Sequence, residues 1–271
     1  MKMLIKRLLY ASVLTLPLLG NPQRLTHAQI AHLPPGWDKS VCIVKAFIAD
    51  TTEKGTGFFV TNNLDSIFKY DTFLVTNKHV IESADSLRLT YYDLDSGVVS
   101  KTFNFKRLEQ ESLVIVHPDH SIDVGVVKLI FGIKVNSYLI SAFKNFDKLS
   151  LSEEVYFFGY PFGVNLRSPI LRRGIISFKS NETLSIKTRG VNRVVAGGVF
   201  LIDGFAWEGN SGSPVVSPGY VLPELGNKYI PYGLLGIVFA YVPTYNSANS
   251  GLAIALPCDR IREVLDLFKK R

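Results

Sequence analysis

A six-residue segment rich in glycine and serine has the residue types needed for nucleophilic chemistry. It reads Gly209-Asn210-Ser211-Gly212-Ser213-Pro214. Acyl transfer through a serine needs an exposed hydroxyl on a tight turn, with backbone N–H groups directed at the developing oxyanion. Glycine at 209 permits a peptide orientation that bulkier residues resist, so the N–H groups of Gly209 and Ser211 can converge. The segment predicts Ser211 as nucleophile and Gly209 and Ser211 as the oxyanion hole, against the alternative of an ordinary turn.

A serine hydroxyl needs a base to remove its proton, and histidine is the usual choice. Four of the five histidines lie in a predicted leader, linker or loop: His27, His32, His117 and His120. His79 instead lies in the apolar run 73–81, which predicts a strand that ends abruptly at a polar tip. Because strand ends on a rigid scaffold can present a base to a cleft, His79 is the candidate general base.

The imidazole in turn needs a carboxylate that fixes its tautomer and stabilises the imidazolium. Asp123 directly precedes the apolar strand pattern 124–129, where a carboxylate is costly to bury unless it has a partner. Asp119 is the competing candidate, but it lies between Pro118 and His120 in a segment that reads as exposed. The pattern therefore favours Asp123.

The elements that must position these residues are short runs of β-branched and aromatic residues between turn-forming clusters. Such runs are typical of an all-β sandwich or barrel. In the first half they cover 41–48, 57–60, 72–76, 87–92 and 113–116. In the second half they cover 155–158, 170–178, 183–187, 194–202, 232–241 and 251–255.

The more polar stretch 136–152 separates these two series and predicts a boundary between two units, 40–148 and 149–271. The end of the chain, 258–270, has apolar residues at the three- and four-residue spacing of a helix, and Pro257 precedes it. We therefore expect two β units of similar length, closed by a C-terminal α-helix.

The N-terminal 28 residues have the three parts of a secretory signal peptide. A basic start precedes an apolar run, 8–19, and the triplet Thr26-His27-Ala28 has small residues where a signal peptidase cleaves. The run is too short to span a bilayer comfortably, so we expect cleavage and a periplasmic or secreted product rather than an uncleaved membrane anchor. A linker, 29–39, then leads into the first unit.

The formal charge of +7 does not indicate a nucleic-acid-binding protein. Four of the cations lie in the acid-free first 28 residues, which leaves a charge of +3 on the rest. The other cations are scattered with no basic stripe among aromatics, so no nucleic-acid partner is expected. Histidines and cysteines show no metal-ligand spacing, so neither a metal nor a cofactor is expected. Cys42 and Cys258 could form a disulfide or remain two buried thiols, and the sequence leaves this open.

Together, three separated segments resemble the signatures of trypsin-like serine proteases in their His, Asp, Ser order. They are Thr76-Asn77-Lys78-His79-Val80, the segment 123–129, and the serine hexapeptide. The first, with 55–59 and 159–163, is similar to the bacterial Deg-type (high-temperature-requirement) proteases, and the hexapeptide is similar to glutamyl endopeptidases. The resemblance, over about residues 40–270, implies a chymotrypsin-like fold of two six-stranded antiparallel β-barrels, the first carrying His79 and Asp123 and the second Ser211.

The chain also departs from these families. No room follows Arg271 for a PDZ domain, so regulation through one is not expected. Asn210 stands where trypsin-type zymogens carry an aspartate that pairs with a freed N-terminus, which argues against that activation route. Val238 replaces the histidine of glutamyl enzymes, and Phe205 replaces the pocket aspartate of trypsin-type enzymes. With Phe239, these two residues predict a shallow apolar pocket for a small or apolar residue before the cleaved bond.

The resulting expectation is an exported serine endopeptidase that acts on proteins or peptides through an acyl-enzyme. A protease-like binding or scaffold protein without turnover is the alternative from another class. An esterase is disfavoured because its Gly-x-Ser-x-Gly elbow between a strand and a helix is absent. The sequence does not indicate an oligomeric state.

Overall fold

The computed structural model describes residues 33, 36–62, 71–130, 132–163, 167–188, 191–195, 198–222, 228–244 and 248–270. The predicted signal peptide, 1–28, lies outside these ranges, as does the linker apart from residues 33 and 36–39. Among the described residues, no helix combines the length and apolar character needed to cross a membrane.

The first half of the chain forms an eight-stranded sheet with the strand order β5-β4-β1-β2-β3-β7-β6, and β8 pairs with β2. The pairs along this path are antiparallel, and β8 runs parallel to β2. The strands are β1 (Val41–Ile48), β2 (Thr51–Asn62), β3 (Asp71–Thr76), β4 (Ser86–Asp93), β5 (Gly97–Asn104), β6 (Val114–Val116), β7 (Gly125–Leu129) and β8 (Tyr138–Leu139). Two short helices interrupt them, α1 (Lys78–Ile81) and α2 (Phe105–Gln110), and 3-10 turns cover Trp37–Lys39, Ile140–Ala142 and Phe146–Lys148.

The second half forms a closed six-stranded antiparallel barrel with the order β10-β13-β18-β17-β14-β9. Its strands are β9 (Glu154–Gly159), β10 (Ile170–Ser180), β13 (Val199–Asp203), β14 (Pro214–Ser217), β17 (Gly233–Pro243) and β18 (Asn249–Pro257). Two hairpins lie outside the barrel path, β11 (Leu184–Thr188) with β12 (Val191–Val195) and β15 (Tyr220–Leu222) with β16 (Lys228–Ile230). The chain then forms helix α3 (Cys258–Lys269).

Alternating side chains explain how these strands pack. In β4, Leu87, Leu89 and Tyr91 are buried, whereas Arg88 between them is exposed. This period of two gives the sheet one apolar face, which packs into a cluster of its own, and the barrel has a second cluster. A third cluster joins residues of both halves to α3 through Ile261 and Val264. A continuous apolar junction thus joins the two halves.

The structure confirms the predicted all-β, chymotrypsin-like architecture with a C-terminal helix, and it refines two details. The first half contains eight paired strands rather than six, because β5 and β8 extend the sheet. The predicted strand 194–202 is divided between β12 and β13, and Gly198 between them has a φ of +99°. Such a positive φ does not belong to an extended strand, so the run must break there.

Candidate active site

His79 lies on α1, a single helical turn directly after β3, rather than on the strand itself. The neighbouring side chains Val80 and Ile81 are buried in the core of the first sheet. Burial of these two anchors the turn, and the His79 side chain remains 24% exposed. The last apolar residues of the run 73–81 therefore do not extend the strand. They pack this helical turn against the core.

Asp123 holds His79 through both of its carboxylate oxygens. Oδ1 accepts a hydrogen bond from the His79 backbone N–H at 2.9 Å, and Oδ2 lies 2.5 Å from His79 Nδ1. The Asn77 side-chain amide donates to the Asp123 carbonyl oxygen at 2.7 Å, which fixes the aspartate backbone as well. With Nδ1–H directed at the carboxylate, the neutral imidazole has its lone pair on Nε2 and can act as a base there.

The competing acid and the other described histidines lie in different contacts. Asp119 Oδ1 accepts hydrogen bonds from the Ser121 hydroxyl at 2.7 Å and the Ser121 N–H at 2.8 Å, and these hold the pKa of Asp119 below its ordinary value. His120 Nδ1 lies 3.2 Å from Lys78 Nζ, and His117 Nε2 lies 2.8 Å from Glu263 Oε2 on α3. Of the two candidate acids, the structure brings only Asp123 to His79.

The loop that carries Ser211 connects β13 to β14 and is docked onto both halves of the molecule. The Ser211 carbonyl oxygen accepts from the Thr56 N–H on β2 at 2.7 Å. The Gly212 N–H donates to the Val238 carbonyl oxygen on β17 at 2.8 Å. The nucleophile is therefore fixed by backbone contacts to a strand of each half.

Gly55 brings this loop next to α1. A Cβ atom at Gly55 would lie 2.8 Å from the Val80 side chain and 3.0 Å from the Ser211 carbonyl oxygen. The first distance is shorter than real Cβ contacts and the second is unusually tight, so a side chain at position 55 would require α1 or the serine loop to shift. The predicted base and nucleophile thus lie on two segments that meet at one glycine.

The Ser211 hydroxyl donates to the Phe239 carbonyl oxygen at 3.4 Å, within the described residues, instead of to the His79 ring. A hydrogen bond this long is weak, so it leaves the hydroxyl loosely held. Catalytic hydrogen bonds are often long in the absence of substrate. The structure therefore brings the serine segment to the His79–Asp123 pair without a direct Ser–His hydrogen bond.

The peptide between Glu208 and Gly209 has a fixed orientation. The Glu208 carbonyl oxygen accepts from the Phe162 N–H at 2.7 Å, and the peptide is trans. Since the C=O and N–H of a trans peptide point in opposite directions, the Gly209 N–H points away from Phe162. Among the described backbone hydrogen bonds, the N–H groups of Gly209 and Ser211 donate to no backbone acceptor. Both predicted oxyanion donors are therefore available.

Glycine is required at 209 for two reasons. Its φ is +92°, in the region that L side chains rarely adopt. A Cβ atom there would also lie 2.5 Å from the Tyr160 carbonyl oxygen and 2.9 Å from the Phe162 nitrogen. The loop after β9 therefore packs against the serine loop so closely that only glycine fits.

Asn210 is fully buried and closes the serine loop on itself. Its side-chain Oδ1 accepts from the Trp207 N–H at 3.2 Å, and its own N–H donates to the Trp207 carbonyl oxygen at 2.9 Å. Because the side chain is neutral, the loop is held without a buried charge that would need a counterion.

Thr56 is a residue of this site that sequence reasoning did not single out. Its hydroxyl donates to the Gly209 carbonyl oxygen at 2.8 Å and accepts from the Tyr160 N–H at 2.9 Å. It therefore joins β2, the serine loop and the loop after β9 in one buried contact. The only signal in the sequence was a small polar residue between two glycines.

The structure does not bring the three predicted pocket residues together. Val238 is 1% exposed and packs in the barrel cluster, whereas Phe239 packs in the cluster at the junction. Phe205 is 51% exposed and lies 6.5 Å from the Trp207 ring, centroid to centroid. The pairing of β17 with β18 shifts register between Val238 and Ala240, so Phe239 is the extra residue of a β-bulge and packs in a different cluster from Val238. Of the three, only Phe205 presents an accessible apolar side chain.

Neither cysteine forms a disulfide. Cys42 and Cys258 are both free and buried, and burial raises the pKa of each thiol well above its ordinary value. They belong to different core clusters. Within the described ranges, no group of three or more His, Cys, Asp or Glu side chains is placed to hold a metal ion.

Serine-type peptidases have these features in common with the chain. They are a closed barrel, a second antiparallel sheet, and a His–Asp pair and a Gly-Asn-Ser-Gly loop between the two. The trypsin-like peptidase domain matches residues 55–220, and the chain belongs to that family. The chain therefore has the fold and the family of the trypsin-like serine peptidases.

Its relatives include the magnetosome formation protease MamE of Magnetospirillum gryphiswaldense, 27% identical over 208 residues, and that of Paramagnetospirillum magneticum, 28% identical over 209 residues. Each match covers 77% of this chain but 21% or 22% of the relative, so the chain spans about a fifth of their length. Among solved structures, the Rv3671c protease of M. tuberculosis in its active form has a TM-score of 0.55 at 19% identity, covering 86% of this chain and 82% of that one. The HtrA-type protease AlgW has a TM-score of 0.54 at 18% identity, covering 86% and 60%. The predicted resemblance to Deg- or HtrA-like proteases is confirmed.

Proposed function

We propose that the chain is an exported endopeptidase that hydrolyses peptide bonds through a Ser211–His79–Asp123 triad and an acyl-enzyme. The observation that carries this proposal is the double hydrogen bond of the Asp123 carboxylate to the backbone and ring of His79. It supports a role for Asp123 in fixing the ring, because only one tautomer leaves Nε2 free to accept a proton.

In the proposed cycle, Ser211 Oγ attacks the carbonyl carbon of the substrate while His79 Nε2 takes its proton. The N–H groups of Gly209 and Ser211 donate to the oxyanion, and each such donor is worth about 3 kcal/mol of transition-state stabilisation. The imidazolium then protonates the leaving amine, which departs. Water, deprotonated by the same histidine, releases the acyl group and restores the serine.

A fluorophosphonate probe tests the nucleophile directly, because it reacts only with an activated serine hydroxyl. We expect labelling of the wild-type chain and none of Ser211→Ala, whereas a variant of an exposed serine far from the site, Ser100→Ala, should label like wild type. Folded protein that labels equally with and without Ser211 would contradict the assignment.

The alternative is a binding or scaffold protein that keeps the fold without turnover. It is favoured by one observation, the contact of the Ser211 hydroxyl with the Phe239 carbonyl oxygen rather than with His79. The two proposals differ in the same probe experiment. A well-folded wild-type chain that resists labelling at every pH between 6 and 9 would favour the scaffold.

Export rests on the leader alone, which places the product in a periplasm or outside the cell. We expect the mature protein to begin after residue 28 when it is recovered from a cell that secretes it. N-terminal sequencing of the recovered protein measures this, and recovery of the intact leader would point to an anchored form instead.

A further inference from the structure

Three cations stand side by side across the first sheet. Lys54 on β2 is directly opposite Lys45 on β1, and Lys45 is directly opposite Arg88 on β4. Directly opposed residues project from the same face of an antiparallel sheet, and like charges there repel. We call Lys54, Lys45 and Arg88 the cation row.

Among the described residues of β1, β2 and β4, the face that carries the cation row has no carboxylate. The alternation of side chains places Thr52, Thr56, Ile43 and Phe47 on this face of β2 and β1, and Ser86, Thr90 and Tyr92 on this face of β4. In the described part of the chain, none of the three cations takes part in an ion pair. Arg88 Nε donates to the Thr102 hydroxyl at 3.2 Å, and its guanidinium lies 5.1 Å from the Phe47 ring.

Lys54 shows the effect of this uncompensated charge. Burial lowers the pKa of the Lys54 ammonium, and the positive charge of Lys45 lowers it further. An anion beside the row would offset the repulsion between the cations. Repulsion among the three cations destabilises the folded protein. A negatively charged ligand would therefore complement this surface.

Lys54, the first residue of the cation row, lies near the loops that form the candidate active site. Lys54 Nζ lies 5.4 Å from the centre of the Phe162 ring, and the Phe162 N–H holds the Glu208 carbonyl oxygen beside the oxyanion donors. Thr56, two residues along on the same face, contacts the serine loop directly. The strand β17 lies on the other side of that loop, where the Gly212 N–H meets Val238.

β14 pairs with β17 only as far as Ile237, so an extended substrate can add to the edge of the later part of β17. A substrate whose residues before the cleaved bond pair there leaves Ser211 toward Lys54. We propose that the cation row binds acidic side chains in the part of the substrate that follows the cleaved bond. This inference rests on the proposed function for its meaning. The row crosses two strand spacings, about 10 Å, which an extended peptide covers with about three residues. The preferred substrates then carry two or three acidic residues shortly after the cleaved bond.

Binding to Ser211→Ala tests this without any turnover. Two fluorescent peptides share one apolar half, and their second halves carry either three Asp and Glu residues or the matching Asn and Gln residues. Fluorescence anisotropy at low salt should give about tenfold tighter binding of the acidic peptide, and less at high salt because exposed charges are screened.

Variants of the row locate the effect. Lys45→Gln with Arg88→Gln, both away from the serine loop, should reduce the preference to about threefold or less. The control Lys101→Gln with Lys148→Gln removes the same net charge and should leave the preference unchanged, because Lys101 lies on β5 out of register with the row and Lys148 lies outside that sheet. Lys54→Met is a second test, because methionine keeps an apolar contact to Phe162 but has no charge. The preference of this variant for the acidic peptide should also decrease. Circular dichroism verifies that each variant is folded.

Equal affinity for the two peptides, or an equal loss in the control variant, would overturn the inference. Tighter binding of a single-stranded oligonucleotide than of the acidic peptide would also overturn it, if Lys45→Gln with Arg88→Gln abolishes that binding. That result would assign the row to nucleic acid. Failure of the proposed function has a different signature. In that case the wild-type chain neither labels with fluorophosphonate nor cleaves either peptide, while the anisotropy result remains readable.

Discussion

The histidine and the serine of this site are held in place by different kinds of interaction. His79 is fixed by a carboxylate that bonds its backbone and its ring, so its geometry depends on a charge. The serine loop is fixed by backbone contacts, close-fitting glycines and the neutral side chains of Thr56 and Asn210. One half of the site should therefore respond to changes of charge and the other to changes of shape.

Removing the charge at the histidine should have the largest effect. In Asp123→Asn the side chain can still fill the space, but its amide favours the wrong tautomer of His79. We expect activity to fall by about four orders of magnitude with little loss of stability. The rate of fluorophosphonate labelling measures this. Asp119→Asn, in the same loop and bonded to Ser121, is the matched control and should remain within about threefold of wild type.

Changing the shape of the serine loop should come next. Gly209→Ala introduces a Cβ into the loop after β9 and disfavours the backbone angle that aims the Gly209 N–H. We expect a loss of about 100- to 1000-fold in kcat. Gly97→Ala is the control, since its φ is also positive, +75°, but a Cβ there meets nothing within 4 Å. It should lose stability without losing activity, and equal effects on activity would contradict the role of Gly209.

Thr56→Val keeps the side-chain shape but removes the hydroxyl, leaving the Gly209 carbonyl and the Tyr160 N–H without this partner. Each buried group left unsatisfied costs about 1–3 kcal/mol, so we expect the two groups together to lower the free energy of unfolding by about 2–6 kcal/mol. Urea denaturation measures it. Thr52→Val, exposed on the same face of β2, should change stability by less than about 0.5 kcal/mol.

The smallest expected effect concerns pH and the contact of α3 with the loop that carries Asp123. Burial alone would raise the pKa of Glu263, but hydrogen bonds from His117 and Arg260 hold it below its ordinary value. A carboxyl whose pKa is lowered by folding stabilises the protein above its unfolded pKa, and that contribution disappears as the pH falls through the lower, folded value. The midpoint temperature of thermal unfolding should therefore decrease as the pH falls below about 4.5.

Glu263→Gln should flatten this acid limb of the stability curve while changing little at pH 7. Because Glu263 is partly exposed, we expect a difference below about 1 kcal/mol. Thermal unfolding between pH 3 and pH 7 measures it, with Glu109→Gln on α2 as the control. An unchanged pH profile in Glu263→Gln would show that this ion pair does not stabilise the junction.

Much of the fold follows from local patterns in the sequence. β1 begins and ends where the alternation of apolar residues predicted, and α3 ends one residue before the predicted limit. The pattern did not reveal β5, because Gly97–Asn104 is a polar edge strand whose pairing depends on its register with β4 rather than on its own burial. It also did not reveal α1, since one turn of helix is too short to show a period.

For the candidate site, residue chemistry indicated which groups could react, but not how they are supported. The placement of Asp123 rather than Asp119 beside His79 agrees with reasoning from burial, although the catalytic roles themselves stay predictions. The contacts of Thr56 join segments 153 and 104 residues apart, and the bond between Phe162 and Glu208 joins segments about 50 residues apart, so no local pattern encodes them. The pocket prediction did not include the bulge at Phe239, beside which Val238 and Phe239 pack in different clusters.

The two lone thiols have a practical consequence. Each is enclosed by a separate core and poorly ionised, so neither offers the thiolate that exchange with another disulfide requires. Folding of this polypeptide should thus be indifferent to redox potential, with the same melting temperature in dithiothreitol as without it. Recombinant material can accordingly be prepared under reducing conditions, with no need for an oxidative refolding step.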